Sequence, residues 1–263
     1  MKRRSFVKAS LLTSSIPAML EGKHTNDEKA KPGRLFYELR TYILGKPEQE
    51  AIIAEYYQKT AIPAYNRLGS SPIGIFKTLK PDDQQKIFVL IPYDSAAAFA
   101  AMPARLREDA VYKKAGGAYL EATAEAPAYD RIESSLLQAF QTFPRIVVPA
   151  KKSRIFELRR YESPTEAAGQ LKIDMFDNKG EISIFKRTGL TPVFFGETLI
   201  GPLRPNLIYM LTFDDMAAHD SHWKTFGNDD EWKKIKSVPE YADAKIISHI
   251  TSTFLAPLEF SQV

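Results

Sequence analysis

The chain contains no cysteine among its 263 residues. It therefore forms no disulfide, carries no thiol nucleophile and offers no acylation site for a lipoprotein anchor. The sequence also lacks a Gly-x-Ser-x-Gly elbow, a phosphate-binding glycine loop and a Gly-x-Gly-x-x-Gly fingerprint. These absences remove the usual sequence signatures of serine hydrolases, thiol enzymes and nucleotide-binding proteins.

The first twenty residues have the composition of a targeting signal. A basic segment with paired arginines, Lys2 to Lys8, precedes the apolar run from Ala9 to Leu20. Twelve residues form a helix of roughly 18 Å, too short for a hydrocarbon core of about 30 Å. The pattern resembles a twin-arginine export signal and predicts a periplasmic or otherwise extracytoplasmic protein without a transmembrane span in the mature chain. A short amphipathic start is the alternative, and the cleavage site stays undefined, which leaves uncleaved anchoring open.

The net charge of +4 comes from the leader. Lys2, Arg3, Arg4 and Lys8 carry four positive charges with no acid among the first twenty residues, so the rest of the chain is close to neutral. A nearly neutral mature chain gives no electrostatic support for nucleic-acid binding. We therefore expect no nucleic-acid partner.

The chain repeats itself. The segment Phe36–Tyr42 (FYELRTY) returns 119 residues later as Ile155–Tyr161 (IFELRRY), and Leu68–Pro72 returns as Thr188–Pro192. A nearly constant offset over about 105 residues indicates a duplicated domain. We predict a signal and polar tether in residues 1–34, a first domain in residues 35–143 and a second in residues 154–258.

Each half has the pattern strand, helix, strand, strand, helix, strand. In the first half, alternating apolar residues predict a strand at Leu35–Ile43, and helical spacing follows at Glu48–Leu68. Asp94 is the expected cap of an alanine-rich second helix. The order βαββαβ is ferredoxin-like and leaves one sheet face uncovered. The predicted fold is therefore α+β: two ferredoxin-like repeats in one chain, closed against each other as an intramolecular dimeric α/β barrel.

The repeated segments resemble the NIPSNAP family. The similarity is carried by Glu38-Leu39-Arg40-Thr41-Tyr42, by the turn Gly69…Pro72, and by the second-half segments Trp223–Phe226 and Asp230–Lys233. Both halves match, and the resemblance implies the dimeric α/β-barrel fold. It implies little chemistry, since related barrels include cofactor-free oxygenases, haem-binding enzymes and proteins that handle aldehydes or quinones.

The first strand of each half carries a polar set at alternate positions. Glu38, Arg40 and Tyr42 share one face opposite Leu39, and the second half repeats the set opposite Leu158 as Glu157, Arg159 and Tyr161. If the leucines face the helices, the polar sets point into the barrel. Two hypotheses follow: a structural Glu–Arg ladder, or a ligand-binding pocket in which arginine holds an anionic or carbonyl group.

Histidines offer the remaining candidates for chemistry. His249 is predicted in the last strand, where Ser135 takes the equivalent position in the first half at an offset of 114, and it is the best catalytic candidate. A hydrogen-bonded structural histidine is the alternative. His219 and His222 share a helix face, but a solvated surface explains them better than a metal, and no metal site is predicted. The sequence requires no cofactor and leaves haem open.

Three functions remain open from the sequence. The first is an exported protein that binds a small molecule in a polar barrel pocket. The second is a cofactor-independent oxygenase or isomerase of the dimeric α/β-barrel group. The third is a non-catalytic interaction scaffold. The sequence leaves the ligand and any homo-oligomeric state undetermined.

Overall fold

The computed structural model describes residues 33–80 and 84–263. The predicted export signal and nearly all of the predicted tether lie outside the described residues. Within the described part of the chain, no helix is both long enough and apolar enough to cross a membrane.

Eight strands form one closed antiparallel barrel in the order β1-β3-β2-β8-β5-β7-β6-β4. The first half supplies β1 (Phe36–Leu44), β2 (Gly74–Thr78), β3 (Gln85–Tyr93) and β4 (Arg131–Ala139). The second half supplies β5 (Ile155–Glu162), β6 (Thr191–Ile200), β7 (Asn206–Phe213) and β8 (His249–Pro257). The predicted α+β barrel built from two repeats is confirmed.

Helices cover the outside of each half-barrel. In the first half these are α1 (Pro47–Tyr56), a π-helical turn (Tyr57–Ala61), α2 (Ile62–Arg67), α3 (Ala96–Glu108), α4 (Ala110–Ala115) and α5 (Gly117–Leu120). In the second half they are α6 (Glu166–Asp177), α7 (Glu181–Arg187), α8 (Met216–Asn228), α9 (Asp230–Lys236), a 3₁₀ turn (Pro239–Tyr241) and α10 (Asp243–Ile246). Ser95, rather than the predicted Asp94, caps α3, because its hydroxyl accepts a hydrogen bond from the Ala98 amide.

The two halves are joined at both edges of their sheets. Strand β4 pairs with β6, and β2 pairs with β8 through the short register Phe76↔Pro257 to Thr78↔Leu255. The described residues form three apolar clusters: one under the helices of each half, and a third inside the barrel. The third contains residues of both halves, so neither half completes its core without the other.

Candidate functional site

The polar sets of β1 and β5 lie on the outer face of the barrel, beneath the helices. Leu39 and Leu158 belong to the apolar cluster inside the barrel. Tyr42 packs instead with Ile53 and Tyr57 of the first helical layer. The prediction that the polar faces point into the barrel is therefore wrong. Hydrogen-bonding side chains on the helices and neighbouring strands explain this arrangement, since a buried Glu–Arg pair needs such partners.

In the first half, Arg40 and Glu38 form a two-point ion pair. Arg40 Nε lies 2.9 Å from Glu38 Oε1, and Arg40 Nη2 lies 3.1 Å from Glu38 Oε2. Arg40 Nη1 also donates to the Tyr57 hydroxyl at 3.2 Å, while Ser134 Oγ donates to Glu38 at 2.8 Å. Burial acts to lower the pKa of Arg40, but the surrounding tyrosines and Glu38 hold that pKa well above its usual value. Arg40 therefore stays charged.

The second half builds the same pair with different partners. Glu157, 1% exposed, accepts hydrogen bonds from Arg159 Nη1 at 2.5 Å, Ser252 Oγ at 2.6 Å and Trp223 Nε1 at 2.9 Å. The guanidinium of Arg159 lies 4.7 Å from the centre of the Trp223 ring, within the range of a cation–π contact. The charge of Glu157 is thus compensated from three sides.

His219 also belongs to this cluster, although the sequence favoured a solvated surface position for it. Its Nε2 lies 3.4 Å from Glu157 Oε2 without forming a hydrogen bond, and its Nδ1 lies 2.8 Å from Asp220 Oδ1. His222 does not join His219 in a metal site: within residues 33–80 and 84–263, no three His, Asp or Glu side chains converge as metal ligands. The sequence signal for His219 was its spacing of four from Trp223, which places both on one helix face.

His249 lies away from both clusters. It is the first residue of β8, is exposed, and pairs with Glu162 at the rim of the barrel. The structure also changes which residue of the first half corresponds to His249. Ser252 pairs with Arg159 as Ser134 pairs with Arg40, so His249 corresponds to Arg131 rather than to Ser135. The last strands are thus offset by 118 residues (Ser134 to Ser252), close to the 119 residues between the first strands, and the offset of 114 taken from the sequence is wrong.

The barrel interior contains a cavity of about 830 Å³. Aromatic side chains fill one end of the barrel: Tyr37, Phe76, Phe156 and Phe194. The cavity occupies the other end, and its mouth lies between the β2–β3 and β6–β7 hairpins. None of Glu38, Arg40, Tyr42, Glu157, Arg159, Tyr161 or His249 is among the residues that line it.

Residues of alternate strand positions line the cavity in layers. Leu39 and Leu158 form the deeper layer, opposite Ser135 and Thr253 in the strand register. The next layer towards the mouth pairs Thr41 with Glu133 in the first half and Arg160 with Thr251 in the second. Phe88 and Ile208 complete this layer. The cavity therefore has an apolar base and a wall that combines apolar, hydroxyl and charged groups.

Solved structures with the same barrel share little sequence with this chain. A candidate monooxygenase from Fusobacterium nucleatum has a TM-score of 0.57 at 8% identity, covering 86% of this chain and 94% of its own. A second candidate monooxygenase, from Lactobacillus acidophilus, has a TM-score of 0.56 at 10% identity over 85% and 94%. An anthrone oxidase-like protein has a TM-score of 0.53 at 10% identity over 86% and 92%. At these identities the likeness shows the fold alone.

The family assignment comes from the sequence of both repeats. No curated protein matches the chain. The NIPSNAP family model matches two tandem segments, residues 37–144 and 156–262. The segments include the polar sets of both first strands and together cover more than half of the sequence. The chain therefore belongs to the NIPSNAP family, with two copies of the domain closed into a single barrel.

Proposed function

We propose that this protein binds one small organic molecule inside its barrel. The observation that supports the proposal is the cavity of about 830 Å³ in one end of the barrel, whose other end is filled by aromatic side chains. Ligand pockets commonly enclose about 300–1,000 Å³ and combine an apolar wall with a few polar groups. The leucine base and the layer of Thr41, Glu133, Arg160 and Thr251 match that description.

The polar clusters beneath the helices have a structural role in this proposal. Every carboxylate oxygen of Glu38 and Glu157 accepts at least one hydrogen bond from a protein donor. Trp223 comes from α8, while Ser252 and Ser134 come from the last strand of each half. The clusters thus fasten helices and strands to the first strand of each repeat rather than presenting free groups to a ligand.

A cofactor-independent oxygenase or isomerase is the second candidate. It is supported by the barrel fold shared with candidate monooxygenases and by His219, whose Nε2 forms no hydrogen bond in the described part of the chain. Proton transfer by histidine needs a ring nitrogen that a substrate can reach, and this Nε2 is buried beside Glu157. An enzyme of this kind would lose turnover in a His219→Gln variant while keeping its ligand, whereas a binding protein has no turnover to lose.

The cavity proposal is tested by filling the cavity. Thr253→Trp places an indole in the deeper layer, and Thr225→Trp adds the same side chain to the exposed surface of α8 as a control. Native mass spectrometry of protein purified from its own host should show a bound mass in the wild type and in Thr225→Trp. That mass should be absent in Thr253→Trp. A ligand retained by a folded Thr253→Trp variant would place binding elsewhere and contradict the proposal.

We also propose export through the twin-arginine route, on the sequence of residues 2–20. Replacing Arg3 and Arg4 together by lysine keeps the charge and should leave a precursor in the cytoplasm. Lys8→Arg, which also keeps the charge, is the control and should be exported normally. Cell fractionation measures the export of each variant. Normal export of the double variant would rule out this route.

A further inference from the structure

The charged groups that line the cavity are mainly basic. Lys80, Lys86 and Arg160 contribute three positive charges, and Glu133 contributes the one negative charge among the lining residues that the structure describes. A concave, weakly hydrated site of this kind concentrates the field of its excess charge. The charges of the described lining residues therefore sum to +2, whereas residues 21–263 as a whole are nearly neutral.

Arg160 is the basic lining residue nearest to the deeper layer of the cavity. It lies two residues before the end of β5, between Ile208 of β7 and Thr251 of β8 in the register, and it is half-buried. Within residues 33–80 and 84–263 it makes no ion pair. Its sequence neighbour Arg159, on the opposite face of the strand, is bound to Glu157. The guanidinium of Arg160 is thus the strongest donor facing the cavity.

The duplication makes Arg160 specific to one half. Thr41 takes the equivalent place in β1, where it pairs with Glu133 as Arg160 pairs with Thr251. The two-fold arrangement of the backbone therefore carries an asymmetric set of side chains. The two sides of the cavity therefore differ in charge, with an arginine on the β5 side and a threonine at the equivalent place in β1.

Apolar side chains surround the mouth. Leu79 lies beside the β2–β3 hairpin, Leu203 on the β6–β7 hairpin and Met216 at the start of α8, and they are 42%, 55% and 43% exposed. Exposed apolar residues grouped around an opening are typical of a route for an apolar molecule. The ligand should therefore combine an apolar part with a single charged group.

We propose that the cavity binds an amphipathic organic anion, with Arg160 as the residue that holds the anionic group. Arginine pairs with a carboxylate or sulfonate through two parallel hydrogen bonds, and Lys86 adds a second positive charge nearer the mouth. The apolar part lies against Leu158, Phe88 and Ile208. This inference rests on the proposed binding function and specifies its ligand class.

Two fluorescent probes with the same aromatic frame separate charge from apolar contact. One is 1-anilinonaphthalene-8-sulfonate, an anion, and the other is N-phenyl-1-naphthylamine, which is neutral. Both are titrated into the wild type, Arg160→Gln, Arg160→Lys and Thr253→Trp, with Arg107→Gln on the exposed surface of α3 as the charge-matched control. Circular dichroism checks that each variant is folded.

We expect Arg160→Gln to weaken binding of the anionic probe about tenfold, as for a lost charge-assisted hydrogen bond, and to change binding of the neutral probe less than about twofold. The affinity of Arg160→Lys for the anionic probe should lie between those of the wild type and Arg160→Gln. Arg107→Gln should bind both probes as the wild type does. Thr253→Trp should abolish binding of both probes.

If Thr253→Trp blocks both probes while Arg160→Gln binds the anion normally, the cavity binds ligands but the anion assignment is wrong. If both probes bind to folded Thr253→Trp, the proposed binding function itself fails.

Discussion

At the scale of single residues, adjacent side chains of β5 have opposite roles. Arg159 lies beneath the helices and pairs with Glu157, while Arg160 faces the cavity. The difference follows from the period of two in a strand, which sends neighbouring side chains to opposite faces. Two arginines next to each other in sequence therefore have separate physical environments.

This difference predicts the effect of removing each arginine. Arg159→Ala leaves Glu157, 1% exposed, without its cationic partner, and should lower the free energy of unfolding by about 3–5 kcal/mol. Arg160→Ala removes a half-buried side chain that pairs with no described acid and should cost less than about 1 kcal/mol. Denaturation by urea measures both. Equal losses in the two variants would contradict the assignment of the strand faces.

At the scale of secondary-structure elements, the duplication has preserved one capping device. Asp109 caps α4 and Asp229 caps α9, each through backbone amides of its own first turn. Each also pairs with an arginine at the end of an earlier helix, Arg67 in the first half and Arg187 in the second, at 2.7 Å. The device fixes the helical layer of each repeat in the same way.

The two caps predict a defined pH dependence. A backbone hydrogen bond and Arg67 lower the pKa of Asp109, and Arg187 together with backbone hydrogen bonds lowers that of Asp229. A carboxyl whose pKa is lower in the folded state stabilises the protein above its unfolded pKa, and that contribution disappears as the pH falls through the folded pKa. Asp229→Asn, which keeps a capping side chain but removes the charge, should therefore be less stable than the wild type at neutral pH and equally stable in acid.

Asp229→Ala is the companion variant. It removes the cap as well as the charge, so it should be less stable than Asp229→Asn at neutral pH. Urea denaturation across the pH range measures all three proteins, and Asp109 offers the same series in the first half. A constant difference between Asp229→Asn and the wild type down to strongly acidic pH would show that the ion pair does not contribute.

At the scale of the whole molecule, the barrel interior joins the repeats. Phe76 packs on Phe156 with ring centres 4.9 Å apart, and Tyr37 packs on Phe194 at 5.5 Å, so each contact crosses from one half to the other. Separating the halves would expose these side chains to water. Apolar burial at roughly 25 cal/mol per Å² makes that separation unfavourable.

A cut linker should therefore leave the molecule intact. A protease site inserted after Lys151, in the exposed segment between β4 and β5, allows cleavage of the folded protein. The two fragments should elute together from a size-exclusion column, at the volume of the uncut chain, and separate only in denaturant. Fragments that separate under native conditions would show that the covalent linker, rather than the shared interior, holds the barrel closed.

The sequence by itself determined the duplication, the order βαββαβ of each half and the closed barrel. These follow from local patterns that recur at a fixed offset. The polar triplets of β1 and β5 and their alternation with Leu39 and Leu158 were also evident from the sequence. The NIPSNAP resemblance rested on the same residues.

Only the tertiary structure decided which face of those strands points inward. A period of two defines two faces without assigning either, and both faces of β1 and β5 are largely covered, one by helices and one by the opposite half. The partners that hold the polar face outside, Trp223 and Ser252, are distant from Glu157 in the chain and reach it only after folding. The cavity at Arg160 depends on the same choice, because it exists only where the inner faces of both repeats meet.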